Sequence, residues 1–232
     1  MNYLDLSLVR KHQLYSFLTE FVSENKKNKF EEIILQRTRH IAVVLEDIFQ
    51  PHNASAVLRS CDCFGIQDIH IIENENKYEI NPDVALGSSK WLSLYRYNKS
   101  ENNTSTCIQQ LKDSGYQIIA TTPHKKDFTP ENLPLDNKIA LIFGTEMKGL
   151  SPLAIGMADG FVKIPMYGFT ESLNISVSAA LMVRSLTERL HESKIQWSLP
   201  ETESYDIRIA WAMMVVKKSE LLLMDFLRKN SS

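Results

Sequence analysis

Residues Ile164–Leu181 read IPMYGFTESLNISVSAAL. A Pro-Met pair and a glycine turn lead into Ser172-Leu173-Asn174, then a small-residue run closing on Ala179-Ala180-Leu181. A helix entry needs one capping side chain. Here Glu171, Ser172, Asn174, Ser176 and Ser178 crowd polar groups beside apolar Leu173, Ile175 and Val177. That density of donors and acceptors at a strand-to-helix junction points to a pocket rather than a cap. Two further segments bear on it, NASAVLR at Asn53–Arg59 and FGTEMKGLS at Phe143–Ser151.

Working outward, the apolar pattern alternates strand and helix. Ile41–Leu45, Ile69–Ile72, Gln117–Thr121, Lys138–Phe143 and Phe161–Pro165 read as strands, with Trp91–Tyr97 an alternating candidate. Pro51-His52-Asn53 reads as a turn, and Ala54–Phe64, Thr106–Ser114, Pro152–Ala158 and Asn174–Ser193 as helices. The alternation of Leu173, Ile175 and Val177 leaves the start of the last of these open by several residues. Residues 4–36 form a helical arm with a polar linker over Ser23–Lys29, and Ile207–Leu227 a final helix. The expectation is an α/β domain over residues 37–193 with a mainly parallel sheet and helices on both faces. A helical arm (1–36) and a helical extension (194–232) flank it. In such a sheet ligands gather at the carboxyl ends of strands. Those loops are Glu46–Asn53, Thr121–His124, Gly144–Leu150 and Pro165–Leu173.

Composition narrows the function classes. The 232 residues allow one large domain, or one with an appendage, and 44% hydrophobic with 23% charged residues is ordinary for a globular chain. The net charge of -2 means that any nucleic-acid role rests on local basic patches. Cys61, Cys63 and Cys107 have neither disulfide-framework nor zinc-knuckle spacing, so reduced thiols and no metal are expected. The opening MNYLDLSLVRKHQ carries no apolar signal region and no run reaches transmembrane length, which gives the expectation of a cytoplasmic protein without a membrane partner.

Taken alone, each motif has a bland reading. Gly144-Thr-Glu-Met-Lys-Gly149 matches neither GxGxxG nor the P-loop, which weakens a nicotinamide or nucleotide-triphosphate enzyme. The turn is a solvated charge pair, Glu146 with Lys148, or a turn closing over a ligand. Asn53 is a helix cap or an ordering residue. Arg59 lies six residues on, about 600° around the helix and so off the face of Asn53. A lone helix arginine is a surface residue or one that grips a phosphate.

Together the three segments resemble the SPOUT superfamily of knotted RNA methyltransferases, and within it the TrmH-type ribose 2′-O-methyltransferases. Asn53 and Arg59 match its first motif. Gly144, Glu146, Gly149 and Leu150 match the second, and Ile164, Pro165, Met166, Ser172, Leu173, Asn174, Ser176 and Ala179 the third. The resemblance spans roughly residues 37–190. It implies a C-terminal deep trefoil knot, a homodimer with the site at the subunit interface, and S-adenosylmethionine as cofactor. Cofactor contacts would fall on Thr121, Thr122, Gly144, Ile164, Met166 and Leu173. Arg59 takes the place of the residue most closely tied to catalysis, organising the 2′-hydroxyl and its phosphate, with Asn53, Glu146, Ser172 and Asn174 ordering it and the substrate.

Gly87-Ser-Ser-Lys-Trp91, Arg37-Thr-Arg39-His40 and the helical ends resemble the subgroup that methylates guanosine 18 of tRNA. Arg10, Lys11, Arg37, Arg39 and Lys90 are the candidate RNA contacts, and Lys125-Lys126 is a further basic pair. The alternatives are ribosomal RNA or another tRNA position, or a knotted protein that binds RNA without methyl transfer.

Overall fold

A computed structural model describes residues 2–79, 87–122 and 127–229. Lys125-Lys126, and Pro123-His124 of the loop after the fourth strand, lie outside these residues. Along the chain run a 3₁₀ turn (Tyr3–Asp5), α1 (Leu8–Thr19), α2 (Glu24–Ile34), β1 (Ile41–Glu46), α3 (Pro51–Cys63), β2 (Asp68–Ile72), a 3₁₀ turn (Ser88–Lys90) and β3 (Ser93–Tyr97). Then follow α4 (Asn103–Asp113), β4 (Tyr116–Thr121), β5 (Lys138–Phe143), α5 (Pro152–Met157), β6 (Gly160–Val162), α6 (Ile175–Glu192), α7 (Glu201–Val215) and α8 (Ser219–Lys229).

The chain divides into two compact units, Thr38–Trp197 and Met1–Arg37 with Ser198–Ser232. In the larger unit six strands among the described residues form one sheet in the order β3-β2-β1-β5-β4-β6, every neighbouring pair parallel. β1 and β2 are buried along their whole length, as the apolar run Ile41–Leu45 requires of a parallel sheet covered on both faces, with Asp68 and His70 of β2 buried as well. Alternate residues supply the two faces. Val43, Leu45, Ile69, Leu141 and Phe143 pack under α3 and α6, against Val57, Leu58, Met182, Val183 and Leu186. Ala42, Val44, Ile118, Ala140 and Ile142 pack under α4 and α5, against Cys107, Ile108, Leu111 and Ala154. The strand order turns back between β1 and β5, so the crevice outside their carboxyl ends is the place for a ligand.

The smaller unit is helical. Leu14, Leu18, Ile209, Ala212 and Phe226 form its core. Lys11, 2% exposed, is paired with Asp206 at 2.6 Å. Trp211 packs against Phe30 and lies under the guanidinium of Arg37.

Several boundaries differ from the sequence reading. The polar linker is shorter, because Glu24–Ile34 is helical and takes in the lysines assigned to it. Pro51 starts α3 instead of a separate turn, since proline's fixed φ suits a first helical position. The single final helix is two, broken at Val216 (ψ 124) and Lys218 (φ 57). The alternation at Leu173–Val177 is not a strand: Asn174 caps α6, Ile175 faces inward and Val177 is 46% exposed.

One buried titratable group marks the sheet. His70 on β2 is 7% exposed, stacked on Tyr95 and within 3.0 Å of the Tyr97 hydroxyl through Nδ1. Burial pushes its imidazole down to about 4. The unfolded chain therefore binds a proton that the native one refuses. Stability at this residue is full above about pH 6.5 and falls as pH drops toward 4, by about 3 kcal/mol in all. Urea midpoints at pH 7 and pH 4 test this. The drop is expected to be smaller in His70→Leu by about that amount, and equal drops in both proteins would contradict it.

Candidate active site

Thr121-Thr122 at the end of β4, the turn after β5 and the segment after β6 meet at the carboxyl ends of the strands. The turn after β5 is closed by paired backbone bonds, Thr145 N–H to Gly149 O (3.0 Å) and Gly149 N–H to Thr145 O (2.9 Å). A Cβ on residue 144 would clash with the Gly149 carbonyl and the Leu150 nitrogen, so only glycine lets the two legs approach. Gly149 itself has φ 69. With the segment after β6 and the first turns of α6, this turn encloses a cavity of about 320 Å³.

The cavity is lined by Thr121, Thr122, Gly144, Ile164, Met166, Ser172 and Leu173, among others. The six positions marked in the sequence as cofactor contacts are thus brought together. Lys163, Glu171 and Ser178 line it as well. Glu171 and Ser178 stood out as part of the polar crowd, whereas nothing in the local pattern singled out Lys163. The Thr121 hydroxyl donates to the Ile142 carbonyl at 2.8 Å, which ties the ends of β4 and β5 together.

At the edge of this turn the three motifs join in one hydrogen-bonded cluster. Glu146 Oε1 accepts from the Asn53 amide at 3.1 Å and from the Asn174 amide. Asn174 Nδ2 also donates to Asn53 Oδ1 at 3.1 Å. Asn53 is not a cap. It is the third residue of α3, whose N-cap is Gln50, and its amide donates to Gln50 Oε1 as well. Asn174 is both cap and cluster member: its Oδ1 accepts from the Ser176 N–H at 2.8 Å while its amide serves Glu146. The Glu146–Lys148 charge pair, one of the two readings of the turn, does not form. Lys148 instead donates to Glu75 at 2.7 Å, and that carboxylate holds the exposed ammonium above its usual range.

Arg59 is exposed on α3 and lies outside the cavity lining. Among the described residues it makes no hydrogen bond or ion pair. Ser172 is exposed at the cavity without a hydrogen bond to described residues.

Of the candidate RNA contacts, Lys90 is exposed on the 3₁₀ turn that packs beside α3. Arg39 is bound to Asp68 at 3.2 Å and Arg10 is half-buried. Lys11 and Arg37 are each 2% exposed, so neither lies on the outer surface of this chain. Their burial was hidden in the sequence, because Asp206 and Trp211 are distant along the chain. Among the described residues no group of three or more His, Cys, Asp or Glu could hold a metal ion, and no helix is long and apolar enough to cross a membrane.

Known proteins are similar to this chain in sequence and fold. The SpoU rRNA Methylase family model matches residues 40–184. The chain is 44% identical over 205 residues to the tRNA (guanosine(18)-2′-O)-methyltransferase of Borreliella burgdorferi, covering 88% of this chain and 92% of that protein. The crystal structure of the A. aeolicus TrmH/SpoU tRNA modifying enzyme superposes with a TM-score of 0.74 at 28% identity, over 84% of this chain and 98% of that one. The SpoU methyltransferase AviRb from Streptomyces viridochromogenes, solved in complex with the cofactor AdoMet, shares the fold at 19% identity and a TM-score of 0.55, over 70% of this chain and 62% of that one. The match covers both the sheet and the loops that build the cavity, and the chain belongs to the SpoU rRNA Methylase family.

Proposed function

We propose that the protein methylates the ribose 2′-hydroxyl of guanosine 18 in tRNA, with S-adenosylmethionine as methyl donor. The observation that carries this is the Asn53–Glu146–Asn174 cluster, which joins three distant motifs beside a cavity at the strand ends. The target nucleotide is supported by the relative named for guanosine 18, matched along 92% of its length.

The cavity residues fit the donor. About 320 Å³ lies within the range of small-molecule sites. Apolar Ile164, Met166 and Leu173 suit a flat base, and the hydroxyls of Thr121, Thr122 and Ser172 suit a sugar and amino-acid moiety. Glu146 and Glu171 suit a cation. When bound, S-adenosylmethionine supplies a methyl group on a sulfonium, an electrophile open to attack by a ribose oxygen.

The chain's own residues prepare that attack. A ribose hydroxyl is a poor nucleophile until its proton has an acceptor in hydrogen-bond reach. Arg59 grips the adjoining phosphate through its planar fork and so organises the hydroxyl. Glu146 fixes both amides of the cluster, leaving Ser172 and the Asn174 helix entry to order the substrate. Lys90 and Arg39 are the basic contacts toward RNA on the larger unit and Arg10 one on the helical unit, and dimerisation would double each.

The same reading carries a homodimer, a trefoil knot ending in α6 and a cytoplasmic location. The dimer is supported by large apolar side chains that stand exposed around the site: Met147 (96%), Tyr167 (98%), Phe169 (108%), Val177 (46%) and Leu181 (47%). The knot is what the resemblance of the three motifs to the SPOUT superfamily implies. The location is supported by three free cysteines.

The test is transfer of labelled methyl from S-adenosylmethionine to unmodified tRNA, with ribosomal RNA in parallel. Label in tRNA alone is expected. Label in ribosomal RNA alone would replace the substrate, and label in neither with no donor binding would favour an RNA-binding protein without catalysis.

A further inference from the structure

Glu46 is the last residue of β1, the strand beside β5, and is 2% exposed. A buried carboxylate is costly unless donors satisfy it. No cation pairs with it among the described residues. Thr104 Oγ1 and Ser151 Oγ donate to its Oε1, each at 2.7 Å, and the Ser151 backbone N–H donates to its Oε2 at 2.8 Å. Two of these donors belong to one residue, and that residue directly follows Leu150. Ser151 also caps α5, its Oγ accepting from the Ala154 N–H at 3.1 Å.

The turn over Gly144–Leu150 is therefore held at both ends. Strand β5 and the close approach of Gly144 to Gly149 fix its entry. Glu46, reaching across from the neighbouring strand, fixes its exit. Glu146 lies between the two anchors. The next residue, Asp47 (φ 53), braces the tip indirectly: its Oδ1 accepts the N–H groups of Asn74 (2.7 Å), Glu75 (2.8 Å) and Asn76 (3.2 Å), and Glu75 receives Lys148.

We infer that Glu46 is a positioning residue for the donor-binding turn, acting through Ser151 to hold Gly144 against the cavity and Glu146 against Asn53 and Asn174. This rests on the methyltransferase reading. A merely stabilising role would make every donor to Glu46 equivalent. A positioning role sets Ser151, in the turn's exit, apart from Thr104, which lies on α4 and whose hydroxyl, among the described residues, otherwise accepts only from the Asn74 amide, at 2.9 Å.

The test compares Ser151→Ala with Thr104→Val in the full chain, each removing one hydroxyl from the same carboxylate oxygen. Melting temperature, S-adenosylmethionine Kd by calorimetry, and kcat and KM on tRNA are read for both. A bond to a charged group corresponds to roughly tenfold or more, so Ser151→Ala is expected to raise Kd and KM for the donor about tenfold. Thr104→Val is expected to stay within about twofold of wild type at a similar loss of melting temperature. Glu46→Gln, which turns an amide donor toward Ser151, is expected to act in the direction of Ser151→Ala. Donor binding unchanged in Ser151→Ala, or weakened as much in Thr104→Val, overturns the inference alone. No donor binding by the wild-type protein overturns the methyltransferase reading and this inference with it.

Discussion

Arg59→Ala is expected to lose about 10²- to 10³-fold in kcat, the usual effect of removing one preorganised charge from a reacting centre. Its fold and its affinity for S-adenosylmethionine are expected to stay intact. The reason is its surroundings. Arg59 is exposed, lines no part of the cavity and makes no ion pair with any described residue. Its removal leaves no buried group unsatisfied, and surface substitutions of that kind stay within about 0.5 kcal/mol. Arg59→Lys keeps the charge but not the two-pronged fork, so it is expected to recover only part of the rate. The checks are single-turnover methyl transfer on tRNA, calorimetric donor binding and a melting curve. Full turnover in Arg59→Lys would show that a point charge suffices. Full turnover in Arg59→Ala would remove the residue from the reaction.

Gly144→Ala is expected to act in the opposite sense, on the donor first. The new methyl group would fall well inside van der Waals contact of the Gly149 carbonyl and the Leu150 nitrogen. These are backbone atoms, tied in turn by the Thr145–Gly149 bonds and by Ser151 to Glu46, so no side chain can swing aside. Overpacking of this kind costs about 1–3 kcal/mol or more, and here it is relieved by opening the turn. Donor affinity is expected to fall about 100-fold, with a lowered melting temperature. The equivalent change at Gly156 meets no atom within 4 Å, and Gly156→Ala is the matched control. Donor affinity unchanged in Gly144→Ala would mean that the turn does not shape the donor site.

The sheet was legible because its central strands are uninterrupted apolar runs. Ile41–Leu45 and Ile139–Phe143 can satisfy both faces only inside a covered parallel sheet, and there they stand, as neighbours in register from Ile41–Ile139 to Leu45–Phe143. The cavity was legible through the resemblance of three short motifs, and through the excess of polar side chains at one helix entry. What stayed hidden is what depends on partners far along the chain. Lys11 and Arg37 read as basic surface, yet Asp206 and Trp211 take them inward. Glu46 read only as the start of a strand-end loop, because nothing adjacent shows that Thr104 and Ser151 converge on it. The break between α7 and α8 carries neither glycine nor proline. Lys218 adopts φ 57 there, so local propensity contained no signal for it. The dual role of Asn174 was half visible: a cap is a local property, but the bond to Glu146 is a tertiary one.

The measurement closest to the central claim is the position of the methyl group. The full chain is incubated with labelled S-adenosylmethionine and an unmodified tRNA transcript, and the 2′-O-methyl position is mapped along the RNA. One methyl at the ribose of guanosine 18, absent when Arg59→Ala replaces the wild-type protein, is the predicted result. A methyl at another nucleotide, on a base rather than a ribose, or present undiminished with Arg59→Ala, would contradict the account.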